Sequence, residues 1–381
     1  MVAKILLFTS LAVITYVYFG YPILAFVIGK IRRQKVNKGI FEPTVSVLIA
    51  AYNEEDVIKQ TIESKLCLDY PKNKVEIIVI SDGSTDNTEM IVKGYELQNV
   101  KLIRLEHRSG KTIALNVGMN VARGDIILFS DANSIWDCQV VRYIVQNFAD
   151  PDVGYVTGRM VYVNQGGSLI GNGCTAYMQY ENFLRIAETN IKSIVGVNGG
   201  VDAVRKKLFR PMKSDHLPDF ILPLWVVEKG YRVVFEDMAI VKEIVNNDHN
   251  DEYRMRLRVA IRSLWTLWEM RRMLSIKKFG IFAVQIWSHK VLRYLAFFFI
   301  ALAYLSNIWL IAHGYSYAVI FILQTAFYGT AIFAHLFRNK FICNRFVLFS
   351  YYFLFTNIAS AHAFGKFILG KKQIMWTPRK G

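Results

Sequence analysis

Hydrophobic and polar positions alternate between two kinds of segment in residues 44–250. Short apolar runs of strand length are followed by longer stretches in which apolar residues have helical spacing. Such alternation predicts an α/β domain with a mostly parallel sheet and helices on both faces. The predicted strands are residues 45–50, 75–80, 100–105 and 125–130, and the predicted helices include residues 54–66 and 111–122. Asn53 is a plausible cap for the first of these helices, and Ser84 or Thr85 for the helix after the second strand.

Three long blocks outside this domain contain no charged residue. They cover residues 5–29, 294–337 and 346–365, and the second is interrupted near residues 313–316. About 20 apolar residues span a membrane, so the second block is long enough for two helices. A cleaved signal peptide is the alternative for the first block, but the block is too long and no small-residue cleavage site precedes the polar segment.

An amphipathic pattern lies just before the second apolar block. In residues 254–273, one helical face carries Leu257, Ile261, Leu264, Trp265 and Trp268, with Arg258 and Arg262 on its flank. Tryptophan and arginine in this arrangement suit a helix in the membrane interface, and an ordinary surface helix is the alternative. Its position beside the membrane block favours the interface.

These segments divide the chain into six predicted regions. They are an N-terminal transmembrane helix (1–29), a basic linker (30–43), the polar α/β domain (44–250), amphipathic interface helices (251–290), C-terminal transmembrane helices (291–370) and a basic tail (371–381).

Composition and charge agree with a membrane protein. Hydrophobic residues make up 53% of the chain, and the formal net charge is +16. Lys30, Arg32, Arg33, Lys35 and Lys38 directly follow the first membrane helix and place the polar domain in the cytoplasm. Anionic lipid and nucleoside-diphosphate ligands also favour a basic face, so nucleic acid is not needed to explain the charge. The four cysteines have no metal-ligand spacing and fit a reducing compartment.

The topology of the C-terminal region is left open by the charges. If the first helix ends in the cytoplasm, three further crossings would put the tail outside. The basic tail residues Lys371, Lys372, Arg379 and Lys380 instead favour the cytoplasmic side. Three or four membrane helices are therefore expected.

Polar residues at the ends of the predicted strands are the candidate chemistry. Asp131 and Asn133 follow the fourth strand, at the sheet edge where ligands of α/β proteins bind. Their oxygens suit Mg²⁺ or Mn²⁺, which commonly brings phosphate with it, although a lone strand-end aspartate is more often a turn former. Asp82, followed by Gly83, could accept hydrogen bonds from a nucleotide. No dinucleotide GxGxxG fingerprint follows any strand.

Two helix starts carry further candidates. Lys111 follows Gly110 and could neutralise a diphosphate, although an isolated surface lysine is the simpler interpretation. Asp219 follows Pro218 and could be a general base in a cleft, although proline then aspartate is also a plain helix start.

Taken together and in order, these segments resemble the inverting family 2 glycosyltransferases with the GT-A nucleotide-sugar fold. The resemblance is to the membrane branch that builds exopolysaccharides, related to hyaluronan, chitin and cellulose synthases, and it covers roughly residues 43–295. The matching segments are 47–54 (VLIAAYNE), 81–86 (SDGSTD), 110–116 (GKTIALN), 130–133 (SDAN), 148–158 (FADPDVGYVTG), 180–181 (YE), 196–200 (GVNGG) and 288–293 (SHKVLR).

The resemblance implies a role for each candidate residue. Ala51, Glu54, Asp82, Lys111 and Asp131 would bind the nucleotide sugar, with Asp131 and Asn133 as ligands of Mg²⁺ or Mn²⁺. Tyr180, Glu181, Asn198 and Gly199 would line the acceptor side, and Asp219 would be the catalytic base.

The sequence departs from the family pattern at three places. The metal motif ends in Asn133 where a second aspartate is expected, and Pro218 replaces the acid before the catalytic aspartate. The QxxRW motif of processive synthases is degenerate. By spacing its arginine is Arg258, a second diphosphate-binding candidate, while Arg262 with Trp265 is an acceptor-side candidate with altered spacing.

The implied function is transfer of a sugar from a nucleoside-diphosphate sugar, with UDP-sugars foremost, to a growing polysaccharide or lipid-linked saccharide. The reaction would run at the cytoplasmic face of the plasma membrane. Two alternatives remain open: transfer of a single sugar to polyprenyl phosphate, and a catalytically silent subunit that binds nucleotide sugar in an export complex.

Overall fold

The computed structural model describes residues 1–163, 168–245, 248–337 and 344–374. Cys343 and residues 375–381 of the basic tail lie outside the described residues. The described chain forms two compact units. The first comprises described residues within 1–27, 168–177 and 248–372, and the second comprises residues 28–163, 178–245 and 373–374.

A mixed sheet is the centre of the second unit. Its strands, among the described residues, are β1 Val45–Ala51, β2 Val75–Ser81, β3 Val100–Arg104, β4 Ile126–Asp131, β5 Ile135–Trp136, β6 Val153–Val163, β7 Asp202–Arg205 and β8 Arg232–Ile244.

The strand order is β3-β2-β1-β4-β7-β6-β8-β5. The first four strands in this order run parallel, as the alternating pattern predicted. Ala51 pairs with Ser81 and Ala50 with Asp131, so the carboxyl ends of β1, β2 and β4 share one edge. The short strand β7 is antiparallel to both β4 and β6. Because β1, β2 and β4 end at one edge of the sheet, the chain segments that follow β2 and β4 begin at that same edge.

Helices account for most of the remaining described residues. They are α1 Val2–Thr15, α2 Tyr21–Arg32, α3 Ile58–Leu66, α4 Thr88–Lys93, α5 Lys111–Val121, α6 Val140–Val145, α7 Leu169–Ile191, α8 Pro218–Glu228, α9 His249–Glu269, α10 Ile276–Phe279, α11 Ile281–Ile286, α12 Leu292–Tyr294, α13 Ala296–Leu310, α14 Tyr315–Leu336 and α15 Arg345–Ile368.

The predicted helix caps after β1 and β2 are wrong. Helix α3 begins at Ile58, and no side chain caps it. Asn53 adopts a positive φ of 52° and accepts a hydrogen bond from the Thr85 amide at 2.8 Å. Ser84 in turn accepts one from the Asn53 amide at 3.1 Å. These polar side chains join the two loops to each other, so they are not available to cap the helices.

Among the described residues, three helical segments are long and apolar enough to cross a membrane, which confirms membrane-type helices at both ends. They are Val2–Arg32, Ala296–His313 and Tyr315–Leu336. The last apolar block also forms a helix, α15, but polar residues such as Asn357 and His362 make it less apolar. That this block is itself a membrane span stays a prediction.

The amphipathic pattern of α9 is confirmed as a helix, although it begins earlier than predicted. Leu257, Ile261 and Leu264 are buried in one cluster with Ala363 of α15. Trp268, by contrast, is 57% exposed. One apolar face of α9 thus packs on α15 within the first unit, and contact with a membrane interface remains a prediction.

Candidate active site

Asp82 lies directly after β2 and is fully buried. Its carboxylate accepts hydrogen bonds from the Ser109 amide at 2.7 Å and the Gly110 amide at 2.8 Å. Burial raises the pKa of the Asp82 carboxyl, while these two hydrogen bonds lower it. The predicted nucleotide-binding acid therefore also fixes the loop that leads into α5.

Two further predicted residues of the nucleotide side lie at the carboxyl end of β1: Ala51 is its last residue, and Glu54 lies in the turn that follows. The Ala51 carbonyl accepts a hydrogen bond from the Asp82 amide at 2.8 Å. The Glu54 amide donates to the Thr88 hydroxyl at 2.8 Å. The structure thus brings Ala51 beside Asp82 and uses the Glu54 backbone to join the two loops.

Sequence reasoning missed a stacked pair on this side of the site. The guanidinium of Arg108 lies 3.8 Å from the centre of the Tyr52 ring. Arg108 directly precedes Ser109, which holds Asp82. A flat cationic and aromatic surface next to a buried acid is suited to a planar base. The signal was present in the sequence, because Tyr52 and Arg108 lie inside or beside matching motif segments.

Lys111 and Asp131 form an ion pair at the same sheet edge. Lys111 is the first residue of α5, after Gly110 with a φ of 94°. Asp131 is the last residue of β4, and its carboxylate accepts a hydrogen bond from the Lys111 ammonium. The predicted diphosphate-binding lysine and the predicted metal-binding acid are therefore brought together.

Helix α3 supports the loop that carries Asn133. The Thr61 hydroxyl donates to the Ala132 carbonyl at 2.6 Å, and the ammonium of buried Lys65 donates to the Ser134 carbonyl. Burial lowers the pKa of Lys65 well below its usual range. These two hydrogen bonds fix the backbone on both sides of Asn133.

Asp131 and Asn133 fit a hard divalent cation whose remaining ligands would be phosphate oxygens of a bound nucleotide sugar. Within the described residues, no group of three or more His, Cys, Asp or Glu side chains could hold a metal ion. Asp131 and Asn133 offer one carboxylate and one amide oxygen. Magnesium is commonly bound through one or two carboxylates plus substrate phosphates, so this small donor set is sufficient.

Asp219 is the second residue of α8, after Pro218. A carboxylate at this position is stabilised by the positive end of the helix dipole. Gly199 packs directly against it: a Cβ atom on Gly199 would lie 2.7 Å from the Asp219 Oδ2 atom. Gly199 also has a φ of 86°, so a side chain there would both strain the backbone and displace the carboxylate.

A second acid near Asp219 was missed by the sequence reasoning. Asp202, the first residue of β7, is 1% exposed, and its Oδ2 atom accepts a hydrogen bond from the Gly199 amide at 2.9 Å. Burial and then the charge of Asp219 raise the pKa of Asp202 to about 7. The available signal was a single acid within the otherwise apolar run of residues 200–204.

The predicted acceptor-side residues of the second unit surround the 196–200 turn. Glu181 of α7 is buried and pairs with Arg185 at 3.9 Å. The Arg185 Nε atom donates to the Gly196 carbonyl at 3.0 Å, and the Asn198 amide group donates to the Gly158 carbonyl at 2.5 Å. Tyr180 is half-buried on the same helix. These contacts shape the turn, and acceptor binding by these residues remains a prediction.

The remaining candidates, Arg258, Arg262 and Trp265, lie on α9 in the first unit. The Trp265 indole donates to the Lys371 carbonyl at 3.0 Å, and its ring lies 4.8 Å from that of Phe367. Arg262 is buried. The contacts of Trp265 are those of a packed side chain, and the proposed diphosphate and acceptor roles of this helix stay predictions.

A comparison with protein families decides the class of this domain. Residues 46–210 match the model of glycosyl transferase family 2. These residues form a family 2 glycosyltransferase domain. The prediction made from the order of the motifs is confirmed, as is the GT-A fold.

Curated relatives of the glycosyltransferase domain include bacterial polysaccharide synthases. The chain is 29% identical over 265 residues to the poly-β-1,6-N-acetyl-D-glucosamine synthase of Staphylococcus aureus strain MSSA476, covering 66% of this chain and 64% of that protein. It is 26% identical to the synthase of the same description from Staphylococcus epidermidis, covering 73% of this chain and 69% of that protein. The chain thus spans just under two thirds of the length of the first relative.

Among solved structures, the mannosyltransferase PcManGT of Pyrobaculum calidifontis, in complex with GDP-Man and Mn²⁺, has a similar fold. The TM-score is 0.74 at 21% identity, covering 96% of this chain and 99% of that one. At this identity the likeness shows the fold alone.

Replacing Asp82 by asparagine should weaken donor binding to the glycosyltransferase domain. The asparagine side chain has one acceptor oxygen, whereas the Asp82 carboxylate accepts from two backbone N–H groups. The N–H group of either Ser109 or Gly110 would therefore face the NH2 group of the asparagine. We expect donor affinity to fall about tenfold or more, since an unpaired buried donor costs about 1–3 kcal/mol. Calorimetric titration with donor measures this. The exposed acid Asp125, bonded to Thr44, gives the control variant Asp125→Asn, and equal affinities for the two variants would contradict the expectation.

Proposed function

We propose that the protein is an inverting glycosyltransferase that uses a nucleoside-diphosphate sugar, with UDP-sugars foremost. The observation that carries this proposal is that Asp82 and the Lys111–Asp131 pair lie at one edge of the sheet, with Asp219 in the same compact unit. Each lies at the end of a strand or the start of a helix. This arrangement offers a binding acid, a cation for phosphate and a carboxylate base within one domain.

The donor would be held from two sides. Asp82 and the Tyr52–Arg108 surface would receive the base, and Lys111 would turn from Asp131 to the diphosphate, as a lysine at a helix N-terminus can. Mg²⁺ or Mn²⁺ held by Asp131 and Asn133 would supply charge neutralisation for the departing diphosphate. Arg258 would add a second cation from α9.

Asp219 would act as the general base. A carboxylate at the start of α8 that packs against Gly199 can take the proton from an acceptor hydroxyl. The hydroxyl oxygen would attack the anomeric carbon on the face opposite the diphosphate. A donor with an α linkage would then give a β-linked product.

We further propose that the acceptor is a growing polysaccharide or lipid-linked saccharide at the cytoplasmic face of the plasma membrane. Three apolar helices and the basic residues after α2 support this location. The relatives that make poly-β-1,6-N-acetyl-D-glucosamine support a polymer product. Tyr180, Glu181, Asn198, Gly199, Arg262 and Trp265 are the proposed acceptor-side residues.

The first test is nucleoside-diphosphate release by the purified protein in lipid. UDP-N-acetylglucosamine and GDP-mannose head the donor panel, because of the synthases and the PcManGT complex. Turnover with one donor, lost when a chelator removes the cation, is the expected result. Product size then separates a polymer from the alternative of a single sugar on polyprenyl phosphate. Donor binding without turnover, in the presence of lipid-linked and saccharide acceptors, would instead support the silent-subunit alternative.

A further inference from the structure

Two carboxyl groups meet at one glycine. The Gly199 amide donates to the Asp202 Oδ2 atom at 2.9 Å. The same glycine lies so close to Asp219 that a Cβ atom there would stand 2.7 Å from Oδ2 of that residue. Asp202 comes from β7 and Asp219 from α8, so distant parts of the chain bring these two acids together.

Asp202 has the surroundings of a protonated acid. Its Oδ1 atom is buried and has no hydrogen bond of ordinary geometry among the described residues, while the hydroxyls of Thr157 and Tyr155 face the same carboxyl group. An ionised carboxylate that is so buried and so sparsely hydrogen-bonded is costly. Burial and the charge of Asp219 raise the pKa of Asp202 to about 7, against smaller opposing effects of Thr157, Gly199 and Lys111. A proton removes both the buried charge and the repulsion between the acids.

We propose that Asp202 is a positioning residue that keeps its proton in the working enzyme, so that no second negative charge stands beside Asp219 at Gly199. This inference rests on the proposed function, because it takes Asp219 to be the base. Asp202 lies outside the motif segments that predicted the site. Its role would be to hold the Gly199 amide without adding a charge beside Asp219.

Groups on α8 and β6 face Asp202. Asp219 faces it from α8, and Tyr155 and Thr157 face it from β6. Burial, followed by the charges of Asp202 and Asp219, raises the pKa of Tyr155 well above its usual value, so this hydroxyl stays neutral. Lys111, the ion-pair partner of Asp131, lowers the pKa of Asp202 through its positive charge.

The proposal fixes the direction of the pH dependence. Above about pH 7 Asp202 ionises and repels the Asp219 carboxylate, which lies against the same glycine. Turnover should therefore fall on the alkaline side, by up to about tenfold per pH unit if the ionised form is inactive. Asp202→Asn keeps an acceptor for the Gly199 amide and cannot ionise. This variant should retain turnover at about pH 6 and lose the alkaline decline.

The experiment compares kcat against pH for wild type, Asp202→Asn and Asp150→Asn, using UDP-N-acetylglucosamine or whichever donor the panel identifies. Asp150 is a buried acid paired with Arg232 at 3.8 Å, so its variant controls for loss of a buried carboxyl group. A flat alkaline profile for Asp202→Asn alone is expected. A profile for this variant that superimposes on wild type would overturn the proposal, as would a folded Asp202→Asn protein that is inactive at every pH.

A second measurement does not depend on turnover and so separates this inference from the proposed function. Infrared difference spectra between about pH 6 and pH 8.5 should show the loss of a protonated buried carboxyl band in wild type and in Asp150→Asn, but not in Asp202→Asn. Absence of that band from the wild type would refute the Asp202 proposal even if the protein transfers sugar. Presence of the band without turnover on any donor would leave Asp202 assigned and the proposed function refuted.

Discussion

The Asp219→Asn protein should bind donor normally and transfer almost no sugar. Asparagine keeps the size of the side chain and its place at the start of α8, but its amide cannot take a proton from the acceptor hydroxyl. We expect kcat to fall by about 10²- to 10⁴-fold, the range that a positioned base contributes. Donor affinity should change little, because Asp219 acts on the acceptor. Nucleoside-diphosphate release and calorimetric donor binding measure the two quantities.

The same helix provides a matched control for this variant. Glu228, near the end of α8, pairs with Arg210 at 3.5 Å. Glu228→Gln removes a carboxylate from the same helix and should leave kcat close to wild type. If both variants lost activity equally, the loss would reflect the stability of α8 and not general base catalysis. If Asp219→Asn retained wild-type turnover, the assignment of the base would be wrong.

The parallel part of the sheet and its ligand edge could be predicted because both depend on local patterns. The apolar runs that end at Ser81 and Asp131 each close a strand whose neighbour in the sheet is β1. Strands linked by helices run parallel, so the polar residues that follow them must reach the same edge. Asp82 and Asp131 follow from this pattern, whereas Lys111 was predicted from its place at a helix start after Gly110.

The meeting of Asp202 with Asp219 at Gly199 depends on tertiary structure that no local pattern shows. Strand β7 is inserted between β4 and β6, antiparallel to both, although it follows them in the chain. A sequence window around Asp202 contains only the apolar residues beside it, and Asp219 lies outside that window. The caps failed for a similar reason, since Asn53 and Ser84 form hydrogen bonds across two loops. For these two side chains, hydrogen bonds between distant loops outweigh the local preference of Asn and Ser for the start of a helix.

Removing the Lys111 ammonium should produce two effects of opposite sign. In the donor-free protein this group pairs with Asp131, the acid proposed to hold the cation, so lysine and cation compete for one carboxylate. Lys111→Met should therefore bind Mn²⁺ more tightly in the absence of donor, which electron paramagnetic resonance of free Mn²⁺ measures. Turnover should fall by about 10²- to 10³-fold, because the departing diphosphate loses a positive partner.

The two effects together distinguish this model from simple damage to the fold. Lys74, a half-buried lysine that pairs with Glu42 at 3.5 Å, gives the control variant Lys74→Met, which should change neither quantity. A misfolded Lys111→Met protein would lose turnover and also Mn²⁺ binding. Unchanged Mn²⁺ affinity with reduced turnover would show that Lys111 serves the diphosphate without competing at Asp131. Tighter Mn²⁺ binding with unchanged turnover would contradict the proposed role of Lys111 in catalysis, because the diphosphate would then leave without its help.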